Sequence, residues 1–121
     1  MRTITTLLVI FLFSSLVHAE TYQGYFKWEG KGKTFPFKII VNGDTAIQKS
    51  KTIDVYYEVV ENTKDELLLM KRFTKENSGK SYPAGMALIV LDKKSGVFVR
   101  SNTFAGGNQN NHAIGTGKQL K

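Results

Sequence analysis

Apolar side chains alternate with polar ones along most of the chain after residue 20, and this two-residue period limits the fold more than any other feature. In residues 34–41, every second position is a large apolar residue: Phe35, Phe37, Ile39 and Val41. A β-strand places successive side chains on opposite faces, so such a segment buries one face and exposes the other. The sequence therefore predicts an all-β fold.

Turn residues divide this region into seven or eight short segments, spaced by roughly ten residues. Asn42-Gly43 is the clearest turn, because both residues tolerate the positive φ of a two-residue hairpin. Leu and Met at 67–70 favour a helix, but the short length and the neighbouring segments favour a strand there. The predicted strands are Tyr22–Glu29, 34–41, Thr45–Gln48, Ile53–Glu61, Glu66–Thr74, Met86–Leu91, Val97–Phe104 and a short Ala113–Ile114 stretch. Such a pattern is typical of an antiparallel meander that is closed as a barrel or folded as a sandwich.

The first 19 residues have the three parts of a secretory signal peptide. Arg2 supplies the positive end, an apolar run covers 7–13, and in Val17-His18-Ala19 the first and third residues have the modest side chains that a cleavage site needs. We predict cleavage after Ala19 and a periplasmic or secreted protein. The remainder, 20–121, is predicted to be one domain with a Gly/Asn-rich C-terminal segment at 105–121, and no later segment is long and apolar enough to cross a bilayer as a helix.

The predicted domain is basic. It holds 16 of the 17 Lys and Arg residues and all 10 acidic ones, a formal charge of +6. Only Arg72 and Arg100 are arginines, and lysine is the usual solubilising residue, so much of this charge is expected to be solvated surface. The remaining positive charge favours a protein partner or an anionic partner in the cell envelope. Nucleic acid is a poor candidate for an exported protein.

The sequence lacks the residues that several common catalytic and metal-binding sites require. The chain has no cysteine, and His112 is the only histidine of the predicted domain, so neither a transition-metal centre nor a Ser-His-Asp triad is expected. Gly115-Thr116-Gly117-Lys118 fails the phosphate-loop pattern, with His112 in place of its first glycine and Gln119 in place of Ser or Thr. We therefore predict no catalytic residues, no metal, no cofactor and no enzymatic activity.

The first candidate binding patch is Tyr25, Lys27 and Trp28. Apolar residues on both faces of this strand suggest that one face contacts something other than solvent. An exposed aromatic and basic surface would suit a glycan, a lipid headgroup or a protein. The alternative is that Trp28 belongs to the core and that the lysines only solvate the strand and the turn.

The second candidate is the strand containing Phe98, Arg100 and Phe104, which share one face with Asn102. If the opposite, valine-rich face is the core, these aromatic residues and the arginine are exposed, a composition enriched at protein interfaces. If the phenylalanine face is the core, Arg100 lies near a barrel mouth or pocket. The sequence leaves both orientations open.

An exported eight-stranded meander resembles the lipocalins in architecture. Gly24 and Trp28 loosely resemble the first-strand Gly and Trp of that family, although three residues separate them where the lipocalin motif has one. Fold alone does not fix function. The sequence favours an exported non-enzymatic binding protein, such as a periplasmic inhibitor or immunity-type protein, and the resemblance implies the alternative of a small carrier of lipids or other apolar molecules.

Overall fold

A computed structural model describes residues 19–50, 53–74, 84–105 and 110–121, so the predicted signal peptide lies almost wholly outside the described residues. Eight strands form the fold. They are β1 (Glu20–Trp28), β2 (Thr34–Asn42), β3 (Thr45–Lys49), β4 (Val55–Asn62), β5 (Glu66–Phe73), β6 (Gly85–Asp92), β7 (Val97–Phe104) and β8 (Asn111–Leu120). The described ranges contain no helix that is long and apolar enough to cross a membrane.

The strands form a closed barrel. Each strand pairs antiparallel with the next along the chain, and β8 pairs antiparallel with β1. Of the two predicted architectures, the barrel is therefore confirmed and the sandwich is not formed. Closure pairs the first and last strands with each other, so neither of them is left as a free sheet edge.

The alternation read from the sequence sets which side chains enter the lumen. In β2 the inner residues Phe37, Ile39 and Val41 are buried, and the same period holds in β1, where Tyr22 and Phe26 are buried. The segment at 66–73 is a strand, as predicted, with Leu67 and Leu69 inside. Most of the buried apolar residues form one core: Tyr22, Phe26, Phe37, Ile39, Val41, Ala46, Tyr57, Leu67, Leu69, Ala87, Ile89, Leu91, Phe98 and Ala113.

The last strand is longer than predicted. We expected only a short stretch at 113–114, followed by glycines and a basic tail, but β8 spans Asn111–Leu120 and closes the barrel against β1 and β7. Its glycines permit a close approach of the two strands at this seam. A Cβ added to Gly115 would collide with the carbonyl oxygen of Tyr25, and one added to Gly24 would collide with that of Thr116.

An aromatic ring covers the backbone that one of the β8 glycines, Gly117, leaves bare. Gly115 pairs with Phe26 on one side and with Phe98 on the other. The Phe37 ring lies over Gly117, where its Cζ is 2.6 Å from the position a Cβ would take. Glycine in strands is used at tight bends of barrels, and an adjacent aromatic ring restores the lost packing.

Candidate functional site

The two ends of the barrel differ in chemistry. At the lower end, where β1 begins and β4 ends, Glu20 accepts hydrogen bonds from Tyr22 Oη and Asn62 Nδ2 and lies 3.8 Å from Lys93 Nζ. Lys93 also donates to Asn62 Oδ1 and to the carbonyl of Thr63. The hydrogen bond from Tyr22 holds the pKa of Glu20 below its ordinary value, helped by Asn62 and Lys93 and opposed by burial. Opposite charges are thus paired at this end.

The middle of the lumen is filled by aromatic and aliphatic side chains. Phe37 and Phe98 stack with their ring centroids 4.3 Å apart, and Phe26 lies 6.2 and 5.9 Å from them. Phe98 has no exposed surface, and neither have Ile89 and Leu69. Rings at these separations contribute stability beyond the area they bury.

Arg100 crosses the lumen above this aromatic layer, toward the upper end at which β1 and β7 finish. It belongs to β7, yet its Nη1 donates to Gln48 Oε1 of β3 over 3.0 Å. In a ring of eight strands β3 and β7 lie opposite each other, so the side chain connects two facing walls. The Arg100 Cζ also lies 5.5 Å from the centroid of the Trp28 ring, at cation–π distance.

The partners of Arg100 are neutral. Gln48 Oε1 also accepts from Tyr57 Oη over 3.0 Å, and Arg100 Nε donates to Asn102 Oδ1 over a longer 3.4 Å. Gln48 and Asn102 are only 7% and 8% exposed. Within the described part of the chain, Arg100 forms no ion pair. We call Arg100, Gln48, Tyr57, Asn102 and Trp28 the lumen cluster.

Two further properties define the electrostatics of this end. Lys71 occupies an inward position of β5 and is partly buried, with its Nζ 5.7 Å from the centroid of the Phe73 ring. It adds a second cation to the inner wall. Burial raises the pKa of Tyr57 above its ordinary value, while the charge of Arg100 opposes that rise. Tyr57 is therefore a neutral hydrogen-bond donor at physiological pH.

The residues of the first predicted patch are divided between the two faces of β1. Tyr25 and Lys27 are exposed on the outer wall, and Tyr25 borders an open groove of about 600 Å³ along the β1–β8 seam. Trp28 faces inward, against Phe26 and Arg100. The structure therefore does not bring these three residues together in one surface patch.

For the second predicted site the structure shows which orientation β7 takes. Phe98 and Phe104 are buried at 0% and 9% exposure, so the phenylalanine face is the core. Val97 and Val99 lie on the outer wall. The exposed-phenylalanine orientation is wrong, and the alternative, with Arg100 near the barrel mouth, is the one observed.

Sequence reasoning missed three members of the lumen cluster, Gln48, Tyr57 and Asn102, as candidates. Gln48 and Asn102 each stand in phase with buried apolar neighbours, Ala46 and Phe104. A polar residue at a position whose neighbours in the alternation face the core could have indicated a site, since a buried amide needs hydrogen-bond partners. The sequence does not indicate that Gln48 and Asn102 both contact Arg100, because Gln48 and Arg100 are 52 residues apart.

The outer wall has an apolar region of its own. Outward side chains of β6, β7 and β8 are contiguous there, and Val99 pairs with Val90 on one side and with Ile114 on the other. Met86, Leu88 and Val90 of β6 are each more than a third exposed, and Ile114 is 63% exposed. This explains why the sequence of β6 is apolar in both phases.

Among the described residues, no three His, Asp or Glu side chains converge as metal ligands would. The chain matches no protein-family model, no curated protein and no solved structure.

Proposed function

We propose that this protein is an exported, non-enzymatic binding protein that recognises an acidic protein partner with the upper end of its barrel. The observation that carries the proposal is the position of Arg100, a partly buried guanidinium with only neutral partners among the described residues. A charge removed from water without a counter-charge is unfavourable. A carboxylate brought to about 4 Å would interact with it by about 4 kcal/mol at an effective dielectric constant near 20, before its own desolvation.

The composition of this end fits a protein interface. Arginine and tryptophan dominate the binding free energy of many interfaces, especially where they are shielded from water at the centre. Arg100 and Trp28 lie at cation–π distance from each other at the upper end. A periplasmic inhibitor or immunity-type protein would use such a centre to engage an acidic loop of its target.

The lumen supports recognition better than carriage. A carrier of lipids needs an apolar cavity of several hundred Å³. Here Phe26, Phe37 and Phe98 fill the middle of the barrel, and Arg100 spans the lumen above them. This arrangement favours a partner group that approaches Arg100 from the upper end.

The lumen cluster also lacks a general base. Arginine stays protonated in proteins, and Gln48 and Asn102 do not ionise. The raised pKa of Tyr57 keeps its hydroxyl neutral. Such a cluster is suited to bind and orient an anion, which supports a binding role.

A pull-down of exported proteins tests this proposal. The bait is the purified exported protein, and Arg100→Met removes the charge while keeping a long side chain. Arg72→Met is the matched control, because Arg72 is exposed on the outer wall of β5 and the change in net charge is the same. We expect a saturable partner with an acidic surface to be retained by wild type and Arg72→Met and lost with Arg100→Met. Retention of every partner by Arg100→Met would overturn the proposal.

A further inference from the structure

The hydrogen bonds of Arg100 fix the orientation of both amides in the lumen cluster. A guanidinium only donates, so the groups that face it must be the carbonyl oxygens of Gln48 and Asn102. Tyr57 donates to the same oxygen of Gln48 and reinforces that orientation. The amide nitrogens are consequently turned away from Arg100.

Those nitrogens remain available. Within the described residues neither Gln48 Nε2 nor Asn102 Nδ2 has a hydrogen-bond partner. No buried side-chain nitrogen or oxygen of the described residues is left unpaired, so both amide nitrogens keep contact with solvent. Arg100 has five N–H donors and uses two of them here. The free polar groups of these three residues are therefore all donors.

We propose that these donors form a binding site for one carboxylate group, held by Arg100 and flanked by Gln48 and Asn102. The planar guanidinium matches a carboxylate with two parallel hydrogen bonds. Trp28 lies against the guanidinium at 5.5 Å, and Gln48 holds it from the opposite wall at 3.0 Å. Both contacts restrict the motion of Arg100 before the ligand arrives, which lowers the entropy lost on binding.

This inference rests on the proposed function and specifies its chemistry. An acidic side chain of a protein partner and a small free carboxylate would present the same group to Arg100. The donors of Gln48 and Asn102 add directionality that a diffuse positive surface lacks. The site should therefore distinguish a carboxylate from a neutral amide of the same shape.

Trp28 provides the readout, because it is the only tryptophan in the chain. The exported protein is titrated with propionate while its fluorescence is followed, with sodium chloride keeping the ionic strength constant. Propionamide is the neutral control of the same shape, and phosphate is the control for a general anion site. We expect saturable binding of propionate with a dissociation constant on the order of 1 mM, which is within reach of a ligand of five heavy atoms.

Variants separate the roles of charge and geometry. Arg100→Met should abolish the propionate response, and Arg100→Lys should weaken it by about tenfold, because a lysine keeps the charge without the fork. Arg72→Met should bind as wild type does. Asn102→Ala should weaken binding by roughly threefold to tenfold through the loss of one donor.

A second titration distinguishes the two sources of the carboxylate. A blocked Gly-Glu-Gly peptide is compared with propionate and with the corresponding Gly-Gln-Gly peptide. Tighter binding of the glutamyl peptide than of propionate indicates a protein side chain, and tighter binding of propionate indicates a small free carboxylate.

Equal responses to propionate and propionamide, or a stronger response to phosphate, would overturn the carboxylate site. In that case a partner that still depends on Arg100 in the pull-down would leave the proposed function standing. A carboxylate response without any Arg100-dependent partner would instead retain the site and remove the protein-binding function.

Discussion

The sequence leaves open whether Phe98 belongs to the core or to a binding surface, and replacing Phe98 by alanine distinguishes these two roles. Phe98 is fully buried, stacks on Phe37 at 4.3 Å and lies 5.9 Å from Phe26. If the barrel packs in this way, Phe98→Ala removes a ring from the centre of the lumen. An exposed contact residue would leave stability almost unchanged on the same substitution.

The magnitude follows from burial and ring packing. Truncation of a buried phenylalanine to alanine costs about 3–5 kcal/mol, including the cavity it leaves. A domain of about 100 residues has a total unfolding free energy of about 5–15 kcal/mol. Phe98→Ala should therefore remove a large fraction of the stability, whereas Phe98→Leu, which keeps most of the volume, should cost about 1–2 kcal/mol.

Urea denaturation followed by Trp28 fluorescence measures both variants. We expect midpoints in the order wild type, Phe98→Leu, Phe98→Ala, with slopes that stay similar if the unfolded states are alike. Val99→Ala is the matched control on the outer wall of the same strand and should change the free energy of unfolding by about 0.5 kcal/mol or less. A loss below 1 kcal/mol for Phe98→Ala would refute the observed orientation of β7.

Three other perturbations test the barrel itself. Gly115→Ala should destabilise the protein by about 3 kcal/mol or more in urea denaturation, because backbone atoms of β1 occupy the position that the Cβ would take. Gly32→Ala is the control and should be nearly neutral, because its Cβ would lie in open space. Equal effects of the two substitutions would contradict the close approach of β1 and β8. Burial, with the adjacent Glu20 carboxylate, raises the pKa of Tyr22 above its ordinary 10.0, so its hydroxyl stays neutral in the barrel while it ionises in the unfolded chain. Stability should fall as the pH rises past 10, and Tyr22→Phe should reduce that fall in alkaline denaturation curves; an unchanged pH dependence would be incompatible with this environment. Leu88→Lys on the outer wall should leave the circular dichroism spectrum and the melting temperature nearly unchanged, and Leu91→Lys in the core should prevent folding. The opposite result would mean that Leu88 faces the lumen and Leu91 faces outward.

The strands with one apolar phase could be predicted from the sequence alone. In β2 the alternation from Phe35 to Val41 and the Asn42-Gly43 turn give both the strand and its inward face. Gly43 has the positive φ of 63° that such a turn requires. Local pattern and fold agree there, so the prediction needs no knowledge of the neighbours.

Two elements could not be predicted fully, for different physical reasons. Strand β7 is apolar in both phases, because Val97 and Val99 join an apolar outer region while Phe98 fills the core, and periodicity cannot choose between two apolar faces. Strand β8 contains Gly115 and Gly117, which weaken the local preference for a strand. Its extent depends on pairing with β1 and β7, which a single segment does not encode.

The candidate site was only partly visible for a related reason. Arg100 and Trp28 stood out by residue type, but the contact of Arg100 with Gln48 joins opposite walls of the barrel. That contact exists only after closure and depends on the register of all the intervening strands. The alternation shows which residues face inward, and closure determines which of them meet.

The most direct test of the carboxylate site is the NMR signal of the arginine side chains. In residues 20–121, which we propose to be the exported form, arginine occurs only at 72 and 100, so the Nε–Hε region should contain two assignable cross-peaks. On addition of propionate at constant ionic strength, we expect the Arg100 peak to shift with saturation while the Arg72 peak stays in place. Equal small shifts of both peaks, or no shift at Arg100, would show that the lumen guanidinium does not bind carboxylate.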